Sequence, residues 1–133
     1  MSYPFASNDN GTLLVCGDGP ELMVYTGPEP KPLWQHFCDD LIAFVGVVSG
    51  DVLCVETSGA WSLRDAGQGR SLREGQIDGP VSGLIFAGGP TWGYFNEDGI
   101  HMVEPSARTL VEEPSIVQAC LDGSGNLLCV GRA

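Results

Sequence analysis

The chain has 133 residues, room for one domain around one continuous core, and 43% of them are hydrophobic, too many for a disordered polypeptide. Six Lys and Arg face seventeen Asp and Glu, a formal net charge of −11, which argues against nucleic acid and anionic membrane surfaces, since both are bound through basic side chains. Nineteen Gly and nine Pro, with no long runs of strong helix formers, point to short strands joined by tight turns.

The first strand expected is Tyr3–Ser7. It leads into Asn10-Gly-Thr-Leu-Leu-Val-Cys-Gly-Asp-Gly19, a turn, a strand and a second turn at glycine. Glu21–Tyr25 reads as a third strand and Pro32–Phe37 as a fourth. The same order then returns: Leu41–Val48, Ser49-Gly-Asp-Val-Leu-Cys-Val-Glu-Thr-Ser-Gly59, Ala60–Arg64 and Arg70–Arg73. A third round runs through Val81–Ala87, Pro90-Thr-Trp-Gly-Tyr-Phe-Asn-Glu-Asp-Gly99, Ile100–Glu104 and Arg108–Glu112. Ile116–Leu121 and Asp122-Gly-Ser-Gly-Asn-Leu-Leu-Cys-Val-Gly131 repeat only the first two steps, and the chain stops at Ala133, where another strand should begin. The glycine-bounded segments start roughly 30–40 residues apart, the period of propeller blades.

The first two strands of each round are the most apolar, as in Leu41-Ile-Ala-Phe-Val-Gly-Val-Val. Burial on both faces near a central axis asks for that. The fourth strands are more polar, as in Ser71-Leu-Arg and Thr109-Leu-Val-Glu-Glu, which suits an outer edge where charge discourages unwanted pairing. The expectation is therefore an all-β, propeller-like single domain over 1–133, with four-stranded antiparallel blades at about 1–38, 39–78 and 79–114 and a half-blade at 115–133.

Two of these segments resemble a known family. Asp122-Gly-Ser-Gly-Asn-Leu-Leu-Cys-Val-Gly and Asn8-Asp-Asn-Gly-Thr-Leu-Leu-Val-Cys-Gly-Asp-Gly are similar to the blade repeat of two-component-regulator and NHL-type propellers, an Asp-x-x-Gly-x-Leu-Trp-Val-Gly-Thr turn and strand. Glu21-Leu-Met-Val-Tyr continues like that family's third strand. Leu14 and Leu128 stand where the family often has Trp, and the second and third repeats lack the Asp-x-x-Gly entry. The resemblance implies the architecture and not the family's sensory role. No Gly-His…Trp-Asp signature of WD40 blades occurs.

Three and a half blades do not close a ring, which takes four to eight. The half-repeat would leave Leu127, Leu128, Cys129 and Val130 as an apolar edge strand without a guarding Pro or Lys, an invitation to pair with another chain. Three accounts follow. Two copies of the chain join, another protein supplies the missing strands by β-augmentation, or the sheets stack as an open solenoid or sandwich.

Candidate chemical sites are few. In Gln35-His-Phe-Cys-Asp-Asp40, His36 and Cys38 would share one strand face, but paired zinc-ligand spacing is absent and no metal or cofactor is expected. Cys16, Cys54 and Cys129 occupy similar places in three strands and read as core packing. A catalytic thiolate needs a basic neighbour, and in sequence only Arg132 is near one of these three. Asn96-Glu-Asp-Gly99 reads as a hairpin and not a calcium loop. The acid pairs Asp39-Asp40 and Glu112-Glu113 read as solvated, and Trp34, Trp61 and Trp92 as packing residues from different blades.

The expected function is a non-catalytic protein-interaction scaffold, homodimeric through its open edges. The alternatives are a ligand-binding or enzymatic propeller with a site at the central channel, and an accessory subunit of a larger complex. Met1–Phe5 lacks a charged start leading into an apolar run, and no apolar run reaches about 18 residues. With five cysteines, an odd number in no framework spacing, the chain reads as cytoplasmic.

Overall fold

The structure, a computed structural model, describes residues 4–8, 10–27, 30–87, 89–112, 116–121 and 127–132, with side chains described through Leu110. Among the described residues there are strands and turns but no helix long and apolar enough to cross a membrane. The first sheet runs β1 (Phe5–Ser7), β2 (Leu14–Asp18), β3 (Glu21–Tyr25), β4 (Trp34–Phe37), and the second β5 (Ile42–Val48), β6 (Asp51–Glu56), β7 (Ala60–Arg64), β8 (Ser71–Gln76). The third runs β9 (Gly83–Phe86), β10 (Trp92–Asn96), β11 (Gly99–Glu104), β12 (Arg108–Glu112). Each is antiparallel, with sequential strands side by side. β13 (Ile116–Leu121) and β14 (Leu127–Arg132) pair only with each other among the described residues.

The expected strands are all present, with ends moved for local reasons. β1 and β4 begin after Pro4 and Pro32, because proline cannot donate to a ladder, and β9 begins at Gly83, two residues inside the expected start. β8 runs on to Gln76, since Gly75 pairs with Trp61 and leaves room for its ring.

Contacts group the chain into two units, Met1–Asp78 and Gly79–Ala133. In the first, alternate residues of two sheets interlock: Leu13, Val15, Leu22 and Val24 meet Ile42, Val45, Val52 and Cys54. Val15, Leu22, Val24 and Val52 are wholly buried, and each such side chain contributes about 1.5–3 kcal/mol. Burial falls outward across the second sheet, from β6, whose four middle residues are all buried, to β8, whose residues are all exposed. The crossover from β4 to β5 is clamped by the β2–β3 turn, where Pro20 O accepts from Cys38 N and Gly19 O from Ile42 N, both at 2.8 Å.

In the second unit Ile85, Ala87, Phe95, Ile100 and Met102 form a core edged by Leu110, and β13 lies against β9, β10 and β11. Asn96 is buried yet satisfied. Its Nδ2 donates to Pro80 O at 2.8 Å and its Oδ1 accepts from Asp98 N at 2.9 Å, fixing the hairpin expected at residues 96–99.

Candidate functional site

Two features stand out, and the first is a strand edge. Leu127, Leu128, Cys129 and Val130 all lie on β14, where Leu127, Cys129 and Val130 oppose Leu121, Cys120 and Ala119 of β13. Their side chains lie outside the described residues. Among the described residues no strand flanks the other edge of β14.

The second feature is a polar cleft of about 310 Å³ in the first unit, where the end of β4 and the crossover after it face one side of the second sheet. Register builds its wall. Val45, Cys54, Ser62 and Glu74 oppose one another across β5, β6, β7 and β8. This single cross-strand row passes from apolar inside to charged outside, and period two adds Arg64 beside Ser62 on β7. His36, Cys38, Asp39 and Glu56 close the cleft, with Trp61 and Gly75 beside them.

Arg64 organises this wall. Its Nη1 donates to Gly69 O at 2.9 Å, and its Nη2 lies 3.1 Å from His36 Nε2. A guanidinium can only donate, so Nε2 accepts and the imidazole carries its proton on Nδ1. Burial, with Arg64 adding to it, holds the His36 pKa below its ordinary value. Arg64 Nε is enclosed and takes no hydrogen bond among the described residues. Glu56 is held by accepting the backbone N–H of Asp40 at 2.9 Å.

Cys38 and Cys54 meet at the base of the cleft with their sulfurs 3.8 Å apart. Hydrogen bonding from Cys54 lowers the Cys38 pKa, and the same bond together with burial drives the Cys54 pKa upward. His36 and Cys38 thus share one site, but among the described residues no group of three or more His, Cys, Asp or Glu is placed to hold a metal ion.

Other sequence candidates are dispersed. Cys16 lies on β2, half-buried. Asp39 lines the cleft, whereas Asp40 caps the backbone of Leu41. Glu112 ends β12, and Glu113 lies outside the described residues. His101 stacks against Tyr94 with ring centroids 5.0 Å apart. Trp92 and Trp61 are buried, and Trp34 donates from Nε1 to Ala66 O at 2.8 Å, tying the first sheet to the β7–β8 loop. Residue-by-residue reading missed Arg64 and the Cys38–Cys54 contact. The signal available was the second repeat's register, which puts Cys54 and Ser62 opposite each other with Arg64 on the same face.

No protein-family model matches the chain, and no curated protein matches it in sequence. Solved structures do match. Sqt1 of Saccharomyces cerevisiae gives a TM-score of 0.67 at 14% identity, over 87% of this chain and 37% of Sqt1. A chain of the mitotic checkpoint complex gives 0.71 at 12% identity, over 97% of this chain and 47% of that one. Raptor of Chaetomium thermophilum gives 0.73 at 15%, over 97% and 14%. These are β-propeller proteins, and the chain spans less than half the length of each. At such identities the likeness shows the fold: all-β, with about three propeller-like blades.

Proposed function

We propose that the chain is a protein-interaction module built of propeller blades, and that a second copy completes it through β14. The observation that carries this reading is the two-stranded β13–β14 sheet beside three sheets of four. Pairing β14 antiparallel with its counterpart in a second copy joins two half-blades into one four-stranded sheet, a closed twofold contact. The apolar Leu127-Leu-Cys-Val run supports it, since such an edge without Pro or Lys favours strand addition. The assembly named in one matched structure, the mitotic checkpoint complex, supports a role among protein partners. The two Asp-x-x-Gly-like turns support an NHL-type repeat, and five cysteines in no framework spacing support a reducing, cytoplasmic setting.

Light scattering on a size-exclusion column tests it. The expected mass is twice the 14.1 kDa of the chain, and Leu128→Lys should return it to the monomer value. A monomer at tens of micromolar would sink the self-association.

A further inference from the structure

The β4–β5 crossover and β6 bring two cysteines that are distant in sequence into sulfur contact inside an open cleft. Cys38 follows the end of β4 and lines the cleft, while Cys54 lies beneath it on β6, only 1% exposed. Their sulfurs are 3.8 Å apart. A disulfide bond is about 2.05 Å long, so closure asks for a movement under about 2 Å, shared by two side chains. Four groups around Cys38 bear on its reactivity. Its sulfur shares a hydrogen bond with that of Cys54, the Arg64 guanidinium adds positive potential, and burial, Glu56 and Asp39 oppose it, the balance favouring thiolate at Cys38 over Cys54. The cleft, about 310 Å³, admits a small reagent to one sulfur of the pair and shields the other.

The geometry points to Cys38 and Cys54 as a thiol–disulfide exchange site for low-molecular-weight disulfides, with Cys38 the attacking sulfur and Cys54 the resolving one. In the first step Cys38 thiolate attacks one sulfur of a disulfide RSSR. A Cys38–S–S–R bond forms, the RS–SR bond breaks, and RS⁻ leaves. In the second, Cys54 gives up its proton and attacks the Cys38 sulfur. The Cys38–Cys54 bond forms, a second RS⁻ leaves, and the protons of the two protein thiols end on two RSH. The protein dithiol is oxidised by two electrons and one RSSR is reduced to two RSH. The product fastens the crossover that leaves the first sheet to the core strand of the second. This site is independent of the β14 edge.

The test is peptide mapping of the folded full chain after exposure to oxidised glutathione, quenched by alkylation. Cleavage before aspartate, at Asp39, Asp40 and Asp51, separates the two cysteines. The expected result is a pair of fragments, one carrying Cys38 and one Cys54, that travel together until reduced. In Cys54→Ala, glutathione should remain on Cys38. Both thiols alkylated as free fragments, or glutathione retained on Cys38 of the unaltered chain with Cys54 still free, would overturn the assignment. The map of the unaltered chain decides the matter even if the core substitution unfolds.

Discussion

His36 shows how one contact sets a titration. Its Nε2 accepts from Arg64, so the neutral imidazole is the form that fits, and burial with the guanidinium beside it lowers the pKa, while Glu56, Asp39 and Glu74 pull the other way. The unfolded chain takes up this proton near pH ~6.5, and the folded chain only at lower pH. As pH falls through that window the unfolded state binds more protons, so folding stability declines, and the loss is complete below the folded pKa. Urea unfolding at pH 7.5 and at pH 5 should show this decline, and His36→Gln should shrink it. An unchanged pH dependence in the variant would remove His36 from the account. Gly69 makes a second residue-scale case. Its φ is +75°, and a Cβ there would sit 2.6 Å from the Trp34 ring, whose Nε1 already holds Ala66 O at 2.8 Å. Gly69→Ala should therefore cost about 1–3 kcal/mol, from left-handed backbone and overpacking together. A shift of the urea midpoint with unaltered slope would measure it.

Turn chemistry governs the elements. β5 and β6 are joined by Ser49 and Gly50, both with positive φ, at 50° and 80°, the two-residue hairpin geometry that favours Asn-Gly. Serine is a poor occupant of the first place. Ser49→Asn should raise stability by roughly 0.5–1 kcal/mol, read as a higher urea midpoint, and a neutral or negative result would show the turn to be set by the flanking strands. The same punctuation explains why the strands were legible before the structure. Glycine turns bound the second strand of each round, and apolar runs such as Leu41–Val48 fix which strands lie inside. The cleft was not legible. Cys38, Cys54 and Arg64 belong to three different segments, and what unites them is hairpin register plus the clamp of Pro20 O on Cys38 N. The register can be counted out from the hairpins, but the clamp is not written in residue spacing along the chain. Trp34 is intermediate: an aromatic packing role could be read, but its partner Ala66, 32 residues on, could not.

At the scale of the whole chain, the charge separates the two kinds of partner. Six basic residues against seventeen acidic ones leave each copy at −11. Two such copies repel before they touch, and salt screens that repulsion over about 10 Å at 0.1 M. Pairing through β14 relies on backbone hydrogen bonds and the apolar Leu127–Val130 run, which screening leaves largely intact. The proposed self-association should therefore tighten as salt rises from about 20 to 300 mM, with the dimer fraction growing at fixed protein concentration. A basic protein partner behaves the other way. Its attraction to the acidic chain weakens as the field is screened, chiefly through a slower on-rate. Sedimentation velocity across this salt series follows the sign directly. An association that strengthens with salt supports a second copy at β14, and one that dissolves with salt moves the partner to a basic chain.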